Sequence, residues 1–385
     1  MFHSASDKEI KAGKVTDVYF SRTLKVLKAK GIDKKVKAEF MAKSLPHNLP
    51  WAILAGIEEC VELLRGLKVS VRSMREGTVF KPLQPVMEIE GNYSEFGRYE
   101  TALLGFLCQA TGVATKAARC KKAAGNRLVI SFGGRRVHPA IAPVVERSSF
   151  IGGFDGVAIL KSAEIIGEEA VGTMPHALII IMGDTVEATR AFNEVIGSKV
   201  KTVSLIDTFQ DEKFESLRVA ESLGDKLYAV RLDTPGSRRG DFLRILEEVR
   251  WELDLRGYNQ VKLFVSGGLD EEDIVKLNPL VDGYGLGTSV SNARVIDFSM
   301  DIIEVEGKPF AKRGKSSGSK KVLRCTKCYG DKVIPFTEKL KRCECGGKYD
   351  ELLIHLIGKG KVKEKLPSPQ KIRHYVLKEL ENYSL

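Results

Sequence analysis

The chain has 385 residues, 43% hydrophobic and 29% charged, with a formal net charge of +11. That is ample material for two or three cored domains. No apolar run approaches the roughly 18 to 20 residues of a membrane span, and the opening MFHSASDKEIKAGK lacks a signal-peptide apolar region, so a cytoplasmic protein without membrane partners is expected. The charge is not spread as a general polyanion binder would require: residues 308–348 hold 13 Lys/Arg against 3 Asp/Glu, while residues 116–291 are close to neutral. The basicity therefore needs a local explanation.

Residues 1–115 mix strand-like pieces (VKAEFMAKSL, VSVRSM, VMEIEG) with helical ones (ILAGIEECVELLRGL and 96–115). Strands and helices without strict alternation suggest an α+β layer domain, completed by about 292–310 through the strand-like MDIIEVEG. Residues 116–291 follow another rule. Short β-branched runs, each ending in glycine, carboxylate or arginine, alternate with amphipathic stretches: LVISFGGRR, VAIL, ALIIIMGD, TVSLID, LYAVRLD, VKLFVSGG and VDGYGLGTS. Runs this apolar read as strands buried on both faces, joined by helical crossovers. The predicted fold is α/β, an irregular or incomplete βα-barrel catalytic domain, since seven strands are legible where a full barrel has eight.

KPFAKRGKSSGSKK then reads as a mobile loop or linker, and residues 320–385 as a small four-cysteine module with a helix-prone tail from residue 368. Cys325, Cys328, Cys343 and Cys345 form C-x2-C, fourteen residues, then C-x-C, a spacing that favours a structural Zn2+ knuckle over a redox disulfide. Cys60, Cys108 and Cys120 sit in apolar or helical contexts and read as core residues. No disulfide framework is expected.

In a βα-barrel the loops after the strands converge on one rim, which would make Arg135, Asp184, Asp207, Asp233, Gly267, Gly268 and Gly287 neighbours. Paired glycines after two late strands suit a phosphate cradle. Asp184 precedes TVEATRAF directly and reads equally as a helix cap. Asp207 and Asp233 are followed by further loop, and two such carboxylates could hold Mg2+ or vicinal sugar hydroxyls. SFGGRRVHP offers Phe132 to stack on a flat heterocycle and Arg135, Arg136 and His138 for a carboxylate. His176, beside an apolar run, is by position alone more often a packing residue, although neutral imidazole is a competent phosphoryl acceptor.

TDVYFSRT, SFGGRR, GGFDG, GTMPHAL, LID, VRLD, SGGLD, GLGT and the basic loop occur in the order seen in nicotinate phosphoribosyltransferases, of the barrel type that includes the quinolinate and nicotinamide enzymes. The chain resembles that family from residue 16 to residue 315, the cysteine module lying outside. The resemblance implies condensation of nicotinate with phosphoribosyl pyrophosphate to nicotinate mononucleotide and pyrophosphate, assisted by Mg2+ and ATP. It implies a homodimer in which Tyr19, with Arg22 near it, enters the neighbour's site opposite Phe132. Arg135, with Arg136 and His138, would hold the nicotinate carboxylate. Asp207 and Asp233 would serve the ribosyl moiety and Mg2+, and Gly267, Gly268, Gly287 and Thr288 the 5′-phosphate. His176 would be the phosphorylated histidine, and Asp155, Arg231 and Ser237 would join the substrate contacts. Lys308, Lys312, Arg313 and Lys315 would face the pyrophosphate, giving the local charge an explanation without nucleic acid. Quinolinate phosphoribosyltransferase is the nearest rival, and a zinc-stabilised nucleic-acid-binding protein a distant one.

Overall fold

A computed structural model describes residues 2–385. The chain divides into two compact units, one comprising the residues up to Thr115 with Arg294–Ser384, the other Lys116–Ala293.

The first unit is built on a seven-stranded sheet in the order Lys308–Pro309, Phe298–Val305, Lys35–Ala42, Pro85–Asn92, Val69–Ser73, Ile354–Gly358 and Lys361–Val362, with antiparallel neighbours. The period-2 alternation of these strands puts Ala38, Phe40, Val71, Met87, Ile89 and Ile357 into one core, together with Ile57, Val61 and Leu64 of the helix Ile57–Leu64. The segment 320–385, expected as a module of its own, is divided. Lys320–Cys325, Asp331–Pro335 and Tyr349–Glu351 form a separate three-stranded sheet bearing the cysteines, whereas Ile354–Gly358 extends the large sheet. The terminal helix Pro369–Leu380 is capped by Ser368 and buries Ile372 and Val376.

The other face of the large sheet carries a row of charges. Asp301 pairs in register with Glu39, Glu39 with Glu88, and Glu88 with Arg72, and all four side chains are buried. Carboxylates side by side across strands repel, so they need counter-charge. Lys312 and Lys315 each lie 2.7 Å from Asp301, Lys320 lies 2.8 Å from Glu39, and Arg72 lies 3.4 Å from Glu88. Burial pushes the Asp301 pKa up, but hydrogen bonds from Lys312, Lys315 and Ser299 prevail and hold it below the usual carboxylate value. Part of the basic segment thus neutralises this row.

The second unit holds a six-stranded parallel sheet in the order Gly156–Val157, Leu128–Ser131, Gly283–Leu286, Lys262–Ser266, Leu227–Leu232 and Thr202–Leu205. Its two edge strands do not pair with each other, so it is a curled half-barrel, not a closed one. The missing strand is ALIIIMGD, which is instead the helix His176–Met182, ended by Gly183 at φ +82°. Ile179 packs in a small core with Met174, Ala188 and Leu205, while Ile180, Ile181 and Met182 are exposed. One residue inward and the next three outward is a helical pattern that an unbroken apolar run conceals, because composition alone cannot separate a buried strand from a short helix. VAIL is likewise cut short: its strand ends at Val157, and a helix begins at Leu160.

Candidate active site and metal centre

The C-terminal ends of the parallel strands surround a cavity of about 520 Å³ within the second unit. Phe132, Arg135, Arg136, His176, Arg231, Asp233, Gly267, Gly268, Gly287 and Thr288 line it, bringing together residues more than 150 positions apart.

On one side, Leu128–Ser131 leads through Phe132 into the 3-10 turn Gly133–Arg136. The Phe132 N–H donates to the carbonyl of Leu286 at 2.7 Å, and the ring lies against Gly285. A Cβ at Gly285 would come within 2.2 Å of the ring carbon Cε2, so the aromatic needs glycine on the neighbouring strand. The Arg231 guanidinium sits 5.8 Å from the Phe132 ring centroid and donates to the Thr173 hydroxyl. Burial lowers its pKa. Arg135 and Arg136 stand exposed at the rim.

In the same cavity, the His176 ring lies among oxygens. Its Nδ1 is 3.0 Å from the Thr208 hydroxyl, and its Nε2 is 3.9 Å from Asp207 and 3.8 Å from Asp233. The Asp233 carboxylate accepts from the Ser266 hydroxyl at 2.7 Å. Asp207 differs, because its side chain is only 3% exposed and neither carboxylate oxygen has a hydrogen-bond partner among the described residues. Burial raises its pKa, and His176 opposes that rise. An unpartnered buried carboxylate is costly, and it fits a site that a cation or a sugar hydroxyl completes. Gly267 and Gly268 have φ of +90° and +69°, a left-handed pair in the cavity lining of the kind that can present backbone amides to an anion. Arg239 fixes this turn by donating to the carbonyls of Thr234, Ser266 and Gly267.

Other expected residues stand elsewhere. Asp184 caps Thr185–Ile196, accepting from Val186 and Glu187 N–H groups. Asp155 pairs with Lys121 at 2.8 Å and accepts from the Val129 N–H at 2.9 Å. His138 is exposed outside the cavity lining, its Nδ1 accepting from the Ala140 N–H, and Ser237 lies on the exposed turn Gly236–Arg239. Tyr19, Arg22, Lys308, Lys312, Arg313 and Lys315 belong to the first unit. Tyr19 is 56% exposed on the helix Val18–Ala29, beside the exposed Val18. Four contributors were not anticipated from sequence: Glu146, Thr173, Thr208 and Arg239. Of these, Thr173 lies within GTMPHAL, and Glu146 is the single acid of PVVERSSF.

Cys325, Cys328, Cys343 and Cys345 bring their sulfurs within 4.8 Å of one another, a set that could hold a metal ion. The Cys343 thiol is held at about 6 by the backbone N–H of Cys345 and by the Tyr349 hydroxyl. Next to Cys325, Arg324 is buried and binds Asp331 at 2.9 Å, Glu379 at 2.6 Å and the Val79 carbonyl at 2.6 Å.

Comparison with known proteins agrees with this layout. Residues 17–111 match the N-terminal and residues 113–301 the C-terminal domain model of quinolinate phosphoribosyl transferase. A nicotinate phosphoribosyltransferase of Mycobacterium tuberculosis is 28% identical over 92% of this chain and 83% of its own, and that of Bacillus subtilis is 28% identical over 72% and 63%. A crystal structure of nicotinate-nucleotide pyrophosphorylase from Pyrococcus furiosus superposes with TM-score 0.98 at 54% identity, covering 100% of this chain and 99% of that one. Human nicotinic acid phosphoribosyltransferase shares the fold, with TM-score 0.78 at 19% identity over 96% and 94%.

Proposed function

Since the chain belongs to the quinolinate phosphoribosyl transferase family, we propose that it condenses nicotinate with phosphoribosyl pyrophosphate in NAD biosynthesis, releasing nicotinate mononucleotide and pyrophosphate. The observation that carries this reading is one cavity lined by an aromatic ring, two arginines, His176, Asp233 and a glycine turn, with the buried Asp207 next to His176. The C1′–O bond to pyrophosphate breaks as the C1′–N bond to the pyridine forms, through an oxocarbenium-like ribosyl centre. Arg135 and Arg136 bind the nicotinate carboxylate and Phe132 orients its ring. The Gly267–Gly268 amides, Gly287 and Thr288 hold the 5′-phosphate, which leaves Asp207 and Asp233 for the ribosyl hydroxyls. Those carboxylates also suit Mg2+, which when bound would neutralise charge on the departing pyrophosphate. The chain's main task is to position two anions and exclude water.

His176 is proposed as the phosphoryl acceptor that couples ATP hydrolysis to transfer. Its Nδ1 is engaged by Thr208, which leaves Nε2 as the reactive atom. The active unit is proposed to be a homodimer in which Tyr19 serves the neighbouring copy, and the exposure of Val18, Tyr19 and Val26 on one helix supports a covered face there. Lys308 and Arg313 are proposed to meet the pyrophosphate. Lys312 and Lys315 would have to leave Asp301 to join them, which makes them the weaker members of that set.

Assays with nicotinate, nicotinamide and quinolinate test the substrate. Turnover of nicotinate, stimulated by ATP, is expected; turnover of quinolinate alone would overturn the reading. A folded His176→Ala variant should keep slow ATP-independent transfer and lose ATP hydrolysis. Continued coupling in that variant would remove His176 from the mechanism.

The cysteine cluster is proposed to hold structural Zn2+. One metal per chain is expected by elemental analysis, and Cys325→Ser should abolish it. Because Arg324, the residue just before Cys325, binds Asp331 and Glu379, the loss should also loosen the terminal helix that carries Glu379. Protein purified without chelators that carries four free thiols and no metal would refute this.

A further inference from the structure

We propose that Glu146 is a positioning residue for base recognition, a role that rests on reading this cavity as the nicotinate pocket. The residue is fully buried in the helix Ala142–Ile151, and its side chain reaches the cavity wall. Its carboxylate joins two segments that are not neighbours in sequence. One oxygen accepts from the Ile159 N–H at 2.9 Å and the other from the Ala158 N–H at 3.4 Å, both just beyond the strand Gly156–Val157. The same carboxylate lies against Gly134, in the turn that carries Arg135 and Arg136.

Packing leaves that turn little freedom. A Cβ at Gly134 would lie 2.2 Å from Ile159 Cδ1 and 3.3 Å from a Glu146 oxygen, so the backbone is pressed directly against both. The direction of two long side chains pivoting on the Gly133–Arg136 turn then depends on where Glu146 holds it. Backbone N–H groups around a carboxylate make charge-assisted bonds, stronger and more directional than those an amide or hydroxyl would form there. A buried acid is a costly way to satisfy two amides if stability were all that mattered, and such costs concentrate where a site must be held in one geometry. Glu146 touches no reacting atom, and its effect passes through the arginines.

The test compares full-length Glu146→Gln and Glu146→Ala with the wild type, varying nicotinate at saturating phosphoribosyl pyrophosphate and then the reverse. Glu146→Ala should raise the KM for nicotinate on the order of tenfold, and Glu146→Gln, which keeps the volume and one acceptor oxygen, about threefold. The KM for phosphoribosyl pyrophosphate should stay within about twofold in both, because its cradle is built from other strands. Equal rises in the two KM values, or no change for nicotinate in a folded Glu146→Gln protein, would make Glu146 merely structural and overturn the proposal. A wild type that consumes quinolinate and not nicotinate would overturn the substrate reading instead, and the same split measured with quinolinate would then decide the role of Glu146. Equilibrium binding of nicotinate mononucleotide gives the comparison without turnover, with weaker binding expected in both variants.

Discussion

Replacing Asp207 by asparagine is expected to lower kcat by a factor on the order of 10² to 10³ while leaving the protein no less stable than the wild type. Both effects come from one fact, the burial of two carboxylate oxygens without hydrogen-bond partners among the described residues. In the free protein an ionised group there is a liability, so burial raises its pKa. The sign for stability follows from that shift. Folding favours the protonated form, so this contribution is fully present below the ordinary carboxylate pKa and lost as pH rises through the raised value. Asparagine removes that dependence, and thermal unfolding across pH should show a flatter curve for the variant. Catalysis runs the other way. The ionised form is the one that can meet a cation or a ribosyl centre, so the acid limb of wild-type kcat should sit above the usual carboxylate range and be absent from the residual activity of the variant. A variant that keeps wild-type kcat, or unfolds far more easily than the wild type, would show Asp207 to be a packing residue.

The contrast between Asp207 and Asp184 shows what could be read in the sequence. Both follow apolar runs, but the helix begins directly after Asp184 and several loop residues later after Asp207, and the first is a cap while the second lies buried 3.9 Å from the His176 ring. Spacing after the strand carried that distinction. It carried the glycine turn and Phe132 too, because a left-handed pair and a ring at a strand end are local features. ALIIIMGD was misread because its helix has only Ile179 fully buried, and an apolar run with no polar punctuation shows no period. The buried charges were invisible for a different reason. Asp301, Glu39, Glu88 and Arg72 lie on four strands far apart in sequence, and only the register of the sheet makes them neighbours of Lys312, Lys315 and Lys320. The excess of lysine between 308 and 348 could be counted, but its partners could not be named. Thr173, Thr208 and Arg239 went unseen similarly, since each acts through a single contact made in space.

Arg135→Ala is expected to reduce kcat/KM for nicotinate by the equivalent of about 2 to 4 kcal/mol, the cost of leaving a substrate carboxylate without its charge-assisted partner. Position supports the choice of residue, since Arg135 and Arg136 line the cavity whereas His138 lies outside the lining with its Nδ1 engaged by the Ala140 N–H. His138→Ala should therefore stay within about twofold of wild type. Lysine at 135 should restore only part of the loss, because an ammonium on a flexible stem cannot make the two parallel bonds of a guanidinium. Nicotinamide, which lacks the carboxylate, supplies the internal control: its low turnover in the wild type should be nearly unchanged in Arg135→Ala. If both bases lose turnover equally, Arg135 serves the ribosyl or phosphate side of the cavity. If neither does, carboxylate recognition falls to Arg136 or Arg231, and the double variants with Phe132→Ala would separate ring orientation from charge.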